Sequence, residues 1–157
     1  MVDIDIKGFF DNVQHGKLLK QLWQMGIRDK TLLSILSAML KAEVAEIGFP
    51  ERGTPQGGII SPLLANVVLN ELDWWISSQW ETIPTHHQYA VTIAPNGTAS
   101  RGKTYRALQS TQLKECWIVR YADDFKILCR KRSDAVKLFA ATQQWLKARL
   151  GLDISPE

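Results

Sequence analysis

The sequence predicts an α+β fold in which helices pack on one face of a small, mainly antiparallel sheet. Three observations lead to this prediction. The chain opens with a segment that alternates apolar and polar residues, helix-type patterns follow it, and two strand-like runs, "CWIVRY" and "FKILCR", flank a short acidic turn. The elements follow the order strand, helices, hairpin, helix, strand, and no segment repeats.

Length and composition are those of one ordinary globular domain. A chain of 157 residues can bury one core, and 45% hydrophobic with 22% charged residues is typical of soluble proteins. No apolar run approaches the roughly 20 residues that span a bilayer, so we expect no membrane contact and a cytoplasmic, bacterial or organellar, location. Cys116 and Cys129 are the two cysteines, and we expect them to stay reduced.

The net charge of +3 is unevenly distributed along the chain. Residues 1–100 hold 7 Lys/Arg and 10 Asp/Glu, which gives −3, whereas residues 101–157 hold 12 and 6, which gives +6. A basic part beside an acidic part suits a polyanion such as nucleic acid. A solvated basic face explains the charge equally well.

The first elements follow from periodicity. From Val2 to Lys7 the apolar residues alternate with Asp3 and Asp5, which predicts a strand with two carboxylates on the face opposite the core. Apolar residues at helical spacing predict one helix over residues 11–26 and a second over 30–41.

The middle of the chain contains a loop and a long helix. Residues 42–49 suggest a short strand, and the glycines and prolines of residues 53–58 predict a loop. Ser61 is a good N-cap and Pro62 suits the first helical turn, so we expect a helix from there to about Trp80.

Residues 82–114 are turn-rich and basic and look like a surface insertion. The hairpin after them is joined at "ADD". If Ala122 and Asp123 form a two-residue turn, paired positions sum to 245, and Cys116 lies opposite Cys129.

The last part of the chain predicts a helix and a strand. Ser133 can cap a helix that runs through Leu150, and Gly151 can end it. Residues 152–155 then suggest a final strand.

Carboxylates mark the candidate site. Asp123 and Asp124 could be ordinary turn residues, but Asp5 or Asp3 could join them on one sheet face, and spacing does not rank these two. Clustered carboxylates repel one another unless a cation is present, and Mg²⁺ prefers such oxygen ligands. Two ions about 3.5–4 Å apart can catalyse phosphoryl transfer. Asp11 suits a helix start better than a ligand position.

Three segments carry a family resemblance: "DIDIKGFFDNVQH", "RGTPQGGIISPLLANVVLNELD" and "RYADDFKILCR". In this order they resemble the palm motifs of reverse transcriptases, most of all the group II intron-encoded reverse transcriptase/maturase family. The resemblance implies one palm domain over residues 1–157, with 82–114 inserted, and RNA-directed DNA synthesis from dNTPs. It also implies two Mg²⁺ ions, for which Mn²⁺ could substitute, an RNA template, a DNA primer and group II intron RNA.

The resemblance also implies residue roles. The catalytic metal ligands would be the carboxylates of Asp5, Asp123 and Asp124 and the backbone carbonyl of Ile6. Positions near the incoming nucleotide and its template base would be Gly8, Phe9, Phe10, Gln56 and Gly57. Phe10 would be the steric gate against the 2′-hydroxyl, and Tyr121 and Ala122 would lie near the primer end.

Simpler interpretations remain for several of these residues. Phe9 and Phe10 could pack in the core, and "PQGG" could be a pre-helix turn. His15 fits a structural role.

The family's fingers and thumb have no counterpart in this sequence. We therefore expect a palm fragment that is inactive by itself and could self-associate. Two alternatives stay open: a non-catalytic RNA-binding protein that helps an intron fold and splice, and an RNA-templated RNA polymerase. Phe10 argues against the second alternative.

Overall fold

The computed structural model describes residues 1–43, 48–54 and 58–155. Half of the strand expected over residues 42–49, namely 44–47, lies outside these ranges, as do Gln56 and Gly57 of the predicted loop. Among the described residues, no helix is long and apolar enough to cross a membrane.

The described elements, in chain order, are β1 (Val2–Ile4), α1 (Phe9–Asn12), α2 (His15–Gln24), α3 (Lys30–Leu40), α4 (Ser61–Gln79), β2 (Thr92–Ile93), β3 (Ala99–Ser100), α5 (Gly102–Gln109), β4 (Cys116–Tyr121), β5 (Asp124–Cys129) and α6 (Arg132–Trp145), which continues as a π-helical turn over Leu146–Leu150.

The main sheet has the antiparallel order β1-β5-β4. A two-residue turn of Ala122 and Asp123 joins β4 to β5, and Cys116 pairs with Cys129. This pairing confirms the predicted hairpin register. The register was predictable because the alternation of side chains and the length of the turn together fix which residues face each other.

One face of this sheet is covered and the other is open. Ile4, Phe125 and Ile127 are fully buried with side chains of α4 and α6, which pack on the sheet. On the opposite face Val119 and Tyr121 are exposed. The predicted α+β architecture, with helices on one face of an antiparallel sheet, is confirmed.

The helix predicted over residues 11–26 is present as α2, but its predicted start is wrong: residues 11 and 12 belong to α1, and the helical pattern breaks at Val13 and Gln14. The break has a tertiary cause. The Gly53 N–H donates to the Val13 carbonyl at 2.7 Å, and Gln14 forms an antiparallel bridge with Arg52. Backbone groups that pair with another segment leave the helical hydrogen-bond pattern.

Two predicted N-caps are also wrong. Ile60 caps α4 and Ser61 is its first residue, because the Leu64 N–H already bonds to the Ile60 carbonyl at 3.1 Å. Lys131, not Ser133, caps α6, since the Ala135 N–H bonds to the Lys131 carbonyl at 3.1 Å.

The segment 82–114 is more ordered than its composition suggested. It contains the β2–β3 hairpin and α5. Tyr105 of α5 packs edge-on against Trp117 with ring centroids 5.1 Å apart, and Leu108 is buried. Tyr105 therefore attaches α5 to β4, and Leu108 attaches it to the hydrophobic core.

The predicted helix stop at Gly151 is confirmed by its left-handed φ of 73°. The final strand expected over residues 152–155 is reduced to one bridge, between Ile154 and Ile6.

Candidate active site

Asp5 and Asp124 occupy neighbouring positions on the open face of the sheet. The last residue pair of the β1–β5 ladder is Ile4 opposite Phe125, and both side chains are buried. Asp5 follows Ile4 and Asp124 precedes Phe125. Because successive strand side chains alternate between faces, both carboxylates lie on the solvent side, and both residues are exposed.

The third carboxylate lies in the turn beside them. Asp123 is half-buried and immediately precedes Asp124. Ala122, the other turn residue, has φ 54°, a left-handed conformation that costs a residue with a Cβ roughly 1 kcal/mol. Tyr121 is 86% exposed at the same end of the hairpin. The turn is thus a strained segment that carries Asp123 and leads directly into Asp124, the first residue of β5.

Ser155 holds Asp5 through two hydrogen bonds. Its hydroxyl donates to Asp5 Oδ2 at 2.8 Å, and its backbone N–H donates to the Asp5 carbonyl at 2.9 Å. The Lys7 N–H bonds to the Asp153 carbonyl at 2.9 Å on the other side of the Ile6–Ile154 bridge. None of these bonds uses the Ile6 carbonyl, which the resemblance assigns to a metal.

Asp3 has a different partner from Asp5. It lies opposite Lys126 in the ladder and forms an ion pair with it. The hydrogen bond that Lys126 donates to the Asp3 carboxylate raises the pKa of Lys126, and the negative charges of Asp3 and Asp124 raise it further. Spacing could not rank Asp3 against Asp5. The structure distinguishes them, because Lys126 neutralises Asp3, whereas Asp5 has a hydroxyl donor.

The donor chemistry fits a hard cation, although the described residues hold no group of three Asp, Glu, His or Cys side chains arranged around one metal position. Asp5 and Asp124 offer exposed carboxylate oxygens, and Asp5 lines a cavity of about 510 Å³ together with Asp3 and Ser155. Mg²⁺ commonly uses one or two carboxylates and fills its shell with water and substrate phosphates. Asp5 beside this cavity, with Asp124 at the neighbouring position on the same sheet face, meets that requirement.

The first palm-like segment also contains Gly8, Phe9 and Phe10, which the resemblance places near the nucleotide. Gly8 is the N-cap residue of α1 and has φ 50°, a left-handed conformation that glycine adopts without steric cost. The Phe9 ring is buried in the core, as the simpler interpretation predicted, while Phe10 is half-buried with its ring 5.5 Å from that of Phe9.

Residues 52–54 lie against α1 and the residues that follow it. The Thr54 N–H donates to the Phe10 carbonyl at 2.7 Å. His15 is buried, and its Nε2 lies 2.7 Å from the Gly53 carbonyl, so Nε2 carries the proton and the ring has the structural role predicted for it. Phe10 therefore lies beside Thr54, which precedes Gln56 by two positions in the sequence.

Comparison with known proteins supplies the family. The family model described as reverse transcriptase (RNA-dependent DNA polymerase) matches residues 1–157. The chain belongs to the reverse transcriptase family.

Relatives of the chain include group II intron-encoded proteins. Protein YkfC of Escherichia coli is 29% identical over 168 residues, which cover 98% of this chain and 42% of YkfC. The group II intron-encoded protein LtrA of Lactococcus lactis is 44% identical over 78 residues, 48% of this chain and 13% of LtrA. An uncharacterized 91 kDa protein in the cob intron of Schizosaccharomyces pombe is 25% identical over 181 residues, 99% of this chain and 22% of its own length.

The chain spans less than half the length of the curated relatives it matches. Its three palm-like segments nevertheless meet in one region of the fold. The first forms β1 and α1, the second leads into α4, and the third forms the β4–β5 hairpin. Contacts of α4 with β4 and of β1 with β5 bring them together.

Proposed function

We propose that this chain is the palm of an RNA-directed DNA polymerase from a group II intron-encoded protein, and that it adds templated dNTPs to a primer 3′-hydroxyl. One observation carries the proposal: Asp5 and Asp124 flank the Ile4–Phe125 pair on the exposed sheet face, with Asp123 in the adjoining turn. Carboxylates at neighbouring positions suit chemistry that needs divalent cations beside a phosphate.

In this proposal Asp5, Asp123 and Asp124, with the Ile6 carbonyl, would hold two Mg²⁺ ions or, as a substitute, Mn²⁺. Such ions, when bound, lower the pKa of the attacking hydroxyl and neutralise the departing pyrophosphate. Ser155 orients Asp5 through its hydroxyl.

The substrate would be held by neighbouring groups. Gly8 and the backbone of Phe9 would face the triphosphate, the Phe10 ring would lie under the sugar, and Gln56 and Gly57 would contact the nucleotide and template base. Tyr121, exposed at the hairpin end, and Ala122 would contact the primer. Template RNA, primer DNA and dNTP are thus the proposed ligands of this face.

The test is primer extension on an RNA template by the whole protein that contains this chain, with Asp123→Asn introduced. Loss of a metal ligand removes several kcal/mol of transition-state stabilisation, so we expect the rate to fall about 10³-fold. The control is Asp29→Asn, which removes the same charge but keeps an acceptor oxygen at the N-cap of α3. Near-normal extension by the Asp123 variant would reject the proposal.

Activity belongs to the whole protein in this proposal. Because the curated relatives are more than twice as long as the matched region, we expect the 157-residue chain alone to extend primers slowly or not at all. Adding the remaining segments should restore extension.

A second candidate function is RNA binding in intron folding and splicing. Segment 82–114 has four cationic side chains, all exposed, and no Asp or Glu; the four are Arg101, Lys103, Arg106 and Lys114. Such a surface suits RNA phosphates. If splicing is the sole function, it survives Asp5→Asn and Asp124→Asn but is lost when these four residues become Gln.

A further inference from the structure

Arg120 lies on the helix-covered face of β4. Of the β4 residues on that face, it is the closest in sequence to the turn of Ala122 and Asp123. It lies two residues before Ala122, and its side chain is only 12% exposed. A guanidinium is always charged, so burial at this position demands several hydrogen-bond acceptors. The structure provides four.

Two of these acceptors belong to one carboxylate on α4. Arg120 Nε donates to Asp73 Oδ1 at 2.9 Å, and its Nη2 donates to Asp73 Oδ2 at 2.6 Å. This is the parallel, two-bond geometry in which arginine binds a carboxylate most strongly. The guanidinium plane is therefore fixed relative to α4.

The remaining nitrogen connects α4 to the turn. Arg120 Nη1 donates to Asn66 Oδ1 at 2.9 Å and to the carbonyl oxygen of Ala122 at 2.8 Å. Asn66 and Asp73 are seven residues apart, so they lie on the same side of α4. One side chain thus ties two turns of this helix to the middle of the β4–β5 turn.

The bond to Ala122 falls where the backbone needs support. Ala122 is the non-glycine residue with positive φ among the described residues, at 54°. A residue stays in such a conformation when its surroundings hold it there. Asp123 and Asp124 follow directly, so the conformation at Ala122 sets where their carboxylates point.

We propose that Arg120 is a positioning residue: it fixes the Ala122 carbonyl on α4 and thereby holds Asp123 and Asp124 in the orientation that the site requires. Since the second palm-like segment runs into α4, the same bonds link the carboxylate turn to the helix that this segment forms. The role rests on the proposed function only in so far as these carboxylates are metal ligands.

The test compares Arg120→Gln and Arg120→Lys with Arg149→Gln in the full chain. Arg149 is a matched control, because its Nε donates to Glu71 of the same helix at 2.9 Å but does not touch the turn. A lysine keeps the charge but cannot reproduce the forked donor geometry. Global unfolding is measured for every variant so that local effects are compared at known stability.

The first measurement is amide hydrogen exchange by NMR. Tyr121 and Asp124 form the pair that closes the turn, and Val119 and Lys126 form a pair further along the same ladder. We expect both Arg120 variants to speed exchange at the closing pair at least about tenfold relative to the inner pair. Equal acceleration of both pairs, or no more effect than Arg149→Gln, would overturn the proposal.

The second measurement is Mn²⁺ affinity, read from the loss of the free-ion electron paramagnetic resonance signal. A purely structural role would leave it unchanged at equal stability, whereas we expect Arg120→Gln to weaken it about tenfold and Arg149→Gln to leave it unchanged. An unchanged affinity in Arg120→Gln would overturn the positioning role. Wild-type affinity that is insensitive to Asp124→Asn would reject the proposed function instead, and exchange at the turn would still decide the role of Arg120.

Discussion

Cys116 lies directly opposite Cys129 in the β4–β5 ladder, with Cys116 buried and Cys129 half-buried. Burial, with a smaller contribution from the neighbouring Cys129, raises the pKa of the Cys116 thiol to about 11. Burial also raises the pKa of Cys129. Since the thiolate is the reactive form of cysteine, these thiols react slowly in the folded chain.

The first prediction concerns stability at high pH. The folded protein keeps Cys116 protonated between its ordinary pKa of about 9 and about 11, whereas the unfolded chain ionises there. The free energy of unfolding should therefore be constant with respect to this group below pH 9 and fall by up to about 3 kcal/mol as the pH rises to 11.

Urea denaturation at a series of pH values measures this effect. Cys116→Ala is the control, because it removes the group and should flatten its part of the pH dependence. Identical pH curves for the two proteins would show that Cys116 is not protected by burial.

The second prediction concerns Gly53. Its φ is 97°, and an added Cβ would lie 3.1 Å from the Phe10 carbonyl oxygen and 3.2 Å from that of Asp11. Gly53→Ala should therefore lower the free energy of unfolding by about 3 kcal/mol, from backbone strain plus the contact with fixed backbone atoms.

Gly97→Ala provides the matched control. Gly97 has φ 81°, but nothing lies within 4 Å of its added Cβ, so strain alone should cost about 1 kcal/mol. Denaturant unfolding of the two variants separates strain from contact. Equal losses in the free energy of unfolding would mean that Gly53 does not contact the backbone of α1 as described.

The third prediction concerns Lys126, whose ammonium group binds Asp3 beside Asp124. A cation there repels any metal ion at the carboxylates. Lys126→Gln should tighten Mn²⁺ binding about threefold at low salt, and the gain should shrink as salt rises. Lys137→Gln removes the same charge from the exposed side of α6 and should have no effect. Weaker binding in the Lys126 variant would instead make Lys126 a support for the carboxylates.

The fourth prediction concerns sugar selection by Phe10. In the whole protein, Phe10→Ala should raise ribonucleotide insertion relative to deoxyribonucleotide insertion about tenfold or more, because the ring that excludes the 2′-hydroxyl is gone. Measuring both insertions in one assay separates selectivity from a general loss of activity. An unchanged ratio of ribonucleotide to deoxyribonucleotide insertion would mean that Phe10 packs in the core and does not select the sugar.

The β4–β5 hairpin was predictable because its information is local. Alternation sets the faces, and a two-residue turn fixes the register, so the opposition of Cys116 and Cys129 follows from the sequence. The adjacency of Asp5 and Asp124 needed more, because it depends on β1 pairing with β5, about 120 residues later. The alternation pattern allowed either Asp5 or Asp3 on that face, and the family resemblance selected Asp5.

Other parts of the site were not predictable from local patterns. Ser155 reaches Asp5 across 150 residues, and Arg120 reaches Asp73 across 47, so neither contact leaves a periodic signal. The break between α1 and α2 likewise arises from hydrogen bonds to residues 52–54. Helix propensity depends on local sequence, so it carries no information about hydrogen bonds to a distant segment that form only on folding.

Metal titration of the 157-residue chain tests the central claim, that Asp5 and Asp124 with Asp123 form a divalent-cation site. Mn²⁺ is titrated into wild type, Asp5→Asn, Asp124→Asn and the control Asp29→Asn, with bound metal read from the free-ion resonance signal. We predict one or two saturable sites in wild type and Asp29→Asn, and at least about tenfold weaker binding in the other two variants. Equal Mn²⁺ binding by all four proteins would contradict the claim.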